Sequence, residues 1–216
     1  MEIAKCEIVN LTHYKALFIL VTAVLALLVA SPALQRVLIS PQTSFFTELS
    51  LLGPRHTTEN YPYGITKNVD YTVFLGITNQ IGSCAYYQVE LKFRNKMQSA
   101  TDSSTFTPSS LPSLYNMTAI VANKESLEIP VIFALDYSLT GNSTFPQVTY
   151  NSLSLNDVTI NLQDQSSDWN QQTKTIYGNL IFELWIYNST ISGFQYNERF
   201  VNLKLNMTST NSLPTF

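Results

Sequence analysis

Residues 86–94 read Tyr-Tyr-Gln-Val-Glu-Leu-Lys-Phe-Arg, and the alternation within them decides the fold. Tyr87, Val89, Leu91 and Phe93 share one face of an extended chain, while Gln88, Glu90, Lys92 and Arg94 share the other. A period of two with one apolar face marks a strand buried on one side only. The same pattern returns near the end, where Val201, Leu203, Leu205 and Met207 alternate with Asn202, Lys204, Asn206 and Thr208. Between these, 71–79 and 180–187 are apolar on both faces in places, which suits central strands. Weaker strands are expected over 46–52, 115–121, 128–137 and 154–162. Gly82-Ser83 reads as a tight turn joining 71–79 to 86–94 in a hairpin. About eight strands without an amphipathic helix among them predict an all-β, immunoglobulin-like antiparallel sandwich. The stretches 96–113 and 163–175 lack apolar periodicity and are expected to be surface loops.

One segment does not fit a sandwich. From Ala16 to Ala30 the chain is an apolar run, and extended through Leu34 it reaches about 19 residues. A helix of that length rises about 30 Å, the thickness of a hydrocarbon core. The sequence therefore predicts a single transmembrane helix over 16–35, preceded by a cytoplasmic segment, 1–15. A tether over 36–43, an extracellular sandwich over 44–208 and a tail over 209–216 follow. Ser31-Pro32-Ala33 places small residues as a signal peptidase prefers, but the run exceeds the length of a typical signal core, so an uncleaved anchor is expected. Lys5 and Lys15 before the run, against Arg36 after it, direct the N-terminus inward. Pro32, Pro41 and Pro54 punctuate the path to the first strands and stiffen it. Ala23, Ala26 and Ala30 fall at i, i+3 and i+7, a stripe of small residues that would let a neighbouring helix approach.

Composition narrows the function. Charged residues make up 12% of the chain, against about 25% in ordinary soluble domains. Ser, Thr, Asn, Gln and Tyr take their place, which suits an extracellular surface. A net charge of −3 excludes a polybasic nucleic-acid surface. Cys6 and Cys84 flank the apolar run and would lie on opposite sides of a bilayer, so no disulfide is expected; Cys84 reads as a small buried hydrophobe. A copper site needs two His and a Cys, and the outer part offers His56 and Cys84 alone. Zinc fails for the same shortage. His56 accompanies no Ser-His-Asp pattern. Glu48, Glu59 and Asp70 are scattered acids rather than a glycosidase pair, and Asp157, Asp164 and Asp168 lack EF-hand spacing. No catalytic, cofactor-binding or metal-ligating residue is expected. Sequons begin at Asn10, Asn116, Asn142, Asn188 and Asn206; the last four are candidate glycan acceptors in an external domain.

Several blocks carry a family likeness. Phe-Thr-Glu-Leu-Ser-Leu-Leu-Gly-Pro (46–54), Asn-Tyr-Pro (60–62), Thr-Val-Phe-Leu-Gly-Ile-Thr-Asn (72–79) and Tyr-Gln-Val-Glu-Leu (87–91) resemble the archaeal membrane-protein family labelled unknown-function domain 1616. Leu-Ile-Phe-Glu-Leu-Trp-Ile-Tyr (180–187) and Tyr-Asn-Glu-Arg-Phe-Val-Asn-Leu-Lys-Leu-Asn-Met-Thr (196–208) are similar to its last two strands. The resemblance implies an archaeal source and a sandwich outside the cell membrane, and it implies no reaction. Within these blocks Gly53-Pro54 reads as a turn, Asn60 and Tyr61 as extended residues before Pro62, and Gly76 as a bulge or close approach. The expected function is that of a non-catalytic, single-pass accessory or structural subunit of a larger archaeal membrane protein complex. Its partners would be other membrane subunits and the lipid bilayer, with no nucleic acid and no small-molecule substrate. The alternative is a free-standing surface protein, an envelope anchor or filament subunit.

Overall fold

The computed structural model describes residues 14–38, 45–95, 98, 107–141, 146–168, 170 and 175–207. The chain divides into two compact units, Met1–Ser44 and Phe45–Phe216. In the first, helix α1 covers Tyr14–Leu38. It starts before the expected residue 16 and continues through Leu38, so Arg36 lies in the helix and not in the tether expected over 36–43. Pro32 lies inside α1, as the expected span over 16–35 has it. Side chains are described without a break over 17–28, and among the described residues no helix is long and apolar enough to cross a membrane.

The second unit is made of two antiparallel sheets, with nine strands among the described residues instead of about eight. The five-stranded sheet contains β1 (Thr47–Leu52), β2 (Tyr71–Asn79), β5 (Ser126–Gly141), β6 (Pro146–Leu155) and β7 (Val158–Asp168), in the order β1-β2-β5-β6-β7. The four-stranded sheet contains β3 (Ala85–Asn95), β4 (Tyr115–Val121), β8 (Tyr177–Asn188) and β9 (Gly193–Asn206), in the order β4-β3-β8-β9. Both segments with apolar residues on two faces, β2 and β8, take interior positions.

The alternating residues close the core. Val73, Leu75 and Ile77 of β2 and Phe133 and Leu135 of β5 are buried, as are Val89, Leu91 and Phe93 of β3 and Leu180, Phe182 and Leu184 of β8. Phe93 meets Tyr150 edge-on at 4.8 Å between ring centroids. Buried tyrosines need partners for their hydroxyls. Tyr150 donates to the carbonyl of Tyr177 (3.0 Å), Tyr137 to that of Ile65 (2.9 Å), and Tyr87 shares a hydrogen bond with Thr47 (3.0 Å). Burial pushes the Tyr87 and Tyr150 hydroxyls up, which keeps them neutral.

The connections correct several expectations. Residues 71–79 and 86–94 do not form a hairpin, because β2 and β3 lie in different sheets. The Gly82-Ser83 segment carries the chain from one sheet to the other. Asn79 organises that crossover from a fully buried position, its Nδ2 donating to the carbonyls of Ser83 and Val121, both at 2.8 Å, and its Oδ1 accepting from the Ile81 N–H at 3.1 Å. The strand expected over 154–162 is instead the tip of the β6–β7 hairpin. Asn156 and Asp157 both have positive φ, 44° and 69°, which fits the primed two-residue turn that matches strand twist. Residues 163–168, expected in a loop, belong to β7. Cys84 is exposed rather than buried, since the inward alternation begins at Ala85. Asn60 is not extended but left-handed, with φ 58°. Gly76 is a close approach: a Cβ there would strike the Ser50 hydroxyl on β1.

Candidate functional surface

The two sheets differ in what they show on their outer faces. On the four-stranded sheet the outward residues fall into rows fixed by register. Tyr86 pairs with Ile120 of β4, and Tyr187 pairs with Phe194 of β9. Tyr86 reaches both rings across the sheet, at 6.2 Å from Tyr187 and 5.2 Å from Phe194, and Tyr187 meets Phe194 at 5.7 Å. Ile120 is 70% exposed, Tyr187 43% and Tyr86 39%. The next row holds Gln88, Trp185 and Tyr196, with the Trp185 and Tyr196 rings 5.5 Å apart. The Trp185 indole Nε1 is buried and has no hydrogen-bond partner among the described residues. Burial, assisted by the carboxylates of Glu183 and Glu198, pushes the Tyr196 hydroxyl up to about 12.

Further along the same face, Lys92 and Glu183 occupy outward positions that alternation assigns to solvent. Both are buried, Lys92 at 3% exposure and Glu183 at 0%. Lys92 Nζ donates to Glu183 Oε2 at 2.7 Å and to the Ser109 carbonyl at 2.9 Å, while the Ser109 N–H donates to Glu183 Oε1 at 2.6 Å. Glu90 adds a weaker contact to Lys92 at 3.5 Å. A buried ion pair is tolerable when its remaining donors and acceptors are met, and here the backbone of Ser109 meets them. The pair therefore fastens the segment around Ser109 onto the sheet. Nothing in the local pattern of β3 or β8 marks it; only the register that sets these strands side by side does.

The remaining edge of this sheet, β9, faces a groove of about 750 Å³ lined by Leu51, Asn60, Tyr61, Tyr63 and residues 200–204. Tyr61 spans the groove wall, donating to the Leu51 carbonyl at 2.7 Å. At one end Arg199 Nε donates to the Thr47 carbonyl at 3.2 Å.

The outer face of the five-stranded sheet mixes small polar groups with separate apolar ones, among them Phe74, Pro130 and the exposed Ile132. Thr78 hydrogen-bonds Ser126 across the β2–β5 pair at 2.8 Å, and Ser154 pairs with Thr159. Its Phe74 is capped by the His56 ring at 3.9 Å, and His56 Nδ1 lies 2.6 Å from Glu128 Oε2. That carboxylate partner was not evident in the sequence, where 72 residues separate the two. Both are about half exposed.

The residues singled out from sequence are scattered. Glu48, Glu59 and Asp70 are exposed and sit on separate segments, and Asp157 is in the β6–β7 turn. The side chains of Asp164 and Asp168 lie outside the described residues. Among the described residues no three His, Cys, Asp or Glu come close enough to hold a metal ion. Asn116 is exposed on β4 and accepts a hydrogen bond from Ser113 Oγ at 2.5 Å. Asn188 closes the β8–β9 turn, its Oδ1 accepting from the Thr190 N–H at 2.9 Å. Asn206 is half-buried, its backbone paired with Tyr63 and Ile65. Asn10 and Asn142 fall outside the described residues. On α1, Ala23 and Ala26 are exposed, as are Phe18 and Leu25, and the side chain of Ala30 is not among those described. No protein-family model matches the chain, and no curated protein matches it.

Proposed function

We propose that the chain is a non-catalytic, membrane-anchored accessory subunit whose sandwich contacts partner subunits outside the cell through the outer face of its four-stranded sheet. The observation that carries this reading is α1. Leu17, Phe18, Ile19, Leu20, Val21, Val24, Leu25, Leu27 and Leu28 are all exposed, so apolar side chains project in every direction around the helix. A helix apolar all round is stable inside protein or lipid and not in water. The row of exposed Ile120, Tyr86 and Tyr187 with half-buried Phe194 supports a protein partner, since aromatic residues anchor interfaces and contiguous apolar patches mark them. The resemblance to the archaeal membrane-protein family of unknown-function domain 1616 belongs to this proposal too, and with it the archaeal source and the external location.

Fractionation with mild detergent tests the reading. The chain should remain with membranes after alkaline carbonate washing, and after solubilisation it should co-migrate with other membrane proteins. Recovery in the aqueous fraction as an isolated chain would contradict it. Recovery with the cell wall or in filaments would favour a free-standing surface protein instead.

A further inference from the structure

We infer that the outer edge of β9 between Phe200 and Lys204 accepts an extended peptide segment from a partner protein, which pairs with it as an added strand. The inference starts from hydrogen-bond parity. The N–H of Asn206 donates to Tyr63 (2.7 Å) and its carbonyl accepts from Ile65 (2.8 Å), both away from β8, whereas the Met207 N–H points back to Ile176 on the β8 side (3.2 Å). The β8–β9 register is unbroken from Arg199 to Asn206. Main-chain groups in a regular strand alternate sides, so Phe200, Asn202 and Lys204 also direct their N–H and C=O away from β8. Among the described residues none of these six groups has a partner, and β9 is the last strand of its sheet. They open into the groove lined by Leu51, Tyr61 and Tyr63.

The chemistry of that groove selects the occupant. Three donor–acceptor pairs repeat at about 6.8 Å, twice the rise per residue of a strand, and another extended backbone is the partner that matches this spacing. The fold already uses the same edge in this way, for Gly64 forms a parallel bridge to Asn206 at the groove's end. The Leu184/Trp185 irregularity, with Glu198 at φ 54°, stops regular pairing at the other end. The charged residue of the lining is Lys204, whose ammonium rests 3.7 Å over the Tyr177 ring. An acidic side chain on the guest completes that site. This inference rests on the reading of the sandwich as an interaction module, but co-purification tests that reading and the following experiment tests this one.

Amide hydrogen exchange is followed by NMR on the full chain in detergent micelles, with a synthetic nine-residue peptide of alternating Thr and Val and a central Asp. Without peptide, the amides of Phe200, Asn202 and Lys204 should exchange fast, in alternation with slow ones at Val201, Leu203 and Leu205. With millimolar peptide those three should slow about tenfold or more as they become hydrogen-bonded, and a fully N-methylated copy should have no effect. Asn202→Pro removes one outward donor while sparing the ladder to β8 and should weaken the peptide about tenfold. Should that variant fail to fold, Lys204→Glu should weaken the Asp peptide and favour one with a central Lys. No slowing at millimolar peptide, or equal slowing by the methylated copy, would overturn the inference. So would slow exchange at all three amides in a peptide-free chain that sediments as a dimer, because a second copy would then hold the edge.

Discussion

The outer faces of the two sheets are built on the same alternation yet carry different chemistry. The five-stranded sheet shows Ser50, Thr78, Ser126, Ser154 and Thr159, with Ile132 exposed among them and Phe74 covered by the His56 ring. The four-stranded sheet shows Tyr86, Trp185, Tyr187, Phe194 and Tyr196, and beside them a buried Lys92–Glu183 pair fastened by the Ser109 backbone. A sandwich needs one apolar face per sheet to make its core. The second apolar face is therefore surplus to folding, and an aromatic row left at the surface by a chain so rich in Ser and Thr points to use by a partner.

The largest difference should appear in stability. Glu183→Ala leaves the Lys92 ammonium buried without its carboxylate, which should cost about 3–5 kcal/mol. On the opposite face Glu128→Ala breaks a half-exposed contact to His56 and should cost under about 1 kcal/mol. Urea unfolding of the two variants makes the comparison, and equal losses would mean that the Ser109 fastening does not distinguish the faces. A double replacement, Lys92→Met with Glu183→Leu, should recover much of the loss, since an apolar pair carries no desolvation penalty.

The next effect is on association. Tyr187→Ala combined with Tyr86→Ala should abolish recovery of partners while the melting temperature moves little, because both rings are exposed. Thr159→Ala should change neither. If partners survive the double variant, the interface lies elsewhere, and α1 is the next place to test. There, Ala26→Leu should reduce partner recovery only if the small-residue face packs against another helix.

The smallest effect is electrostatic and lies on the five-stranded sheet. The Lys67 ammonium, 3.0 Å from Asp136 Oδ1, with help from the Asn151 amide, holds the Asp136 carboxyl below the usual carboxylate range. A carboxylate whose folded pKa is depressed stabilises the fold above its unfolded value, about 3.9, and loses that contribution as pH falls through the folded value. Lys67→Ala should therefore lower stability at pH 7 by no more than about 0.5 kcal/mol, and the difference from the parent chain should vanish once pH is well below the ordinary carboxylate value. A constant difference down to that pH would mean that Lys67 acts by packing.

Much of this was legible in the sequence, for reasons that differ by region. Alternation at 87–93 and 201–207 is a one-dimensional signal of a two-faced strand, and it located β3, β9 and the core side chains they supply. Connections were read less well, because a short Gly-containing turn looks the same whether it closes a hairpin or crosses between sheets. Asn79 decides that question through contacts with Val121, 42 residues away. The Asn156-Asp157 turn was missed although the apolar phase shifts across it, from Leu153 and Leu155 to Val158, Ile160 and Leu162. The aromatic row was invisible for a related reason. Tyr86, Tyr187 and Phe194 lie on three strands, and only the pairing register brings their rings together.

Site-specific photo-crosslinking in native membranes tests the central claim most directly. A photoreactive phenylalanine replaces Tyr187 on one face or Thr159 on the other, in otherwise unchanged chains. The account predicts a discrete crosslinked product with another membrane protein from position 187 and none from position 159. Crosslinks from 159 but not 187, or from neither, would contradict it.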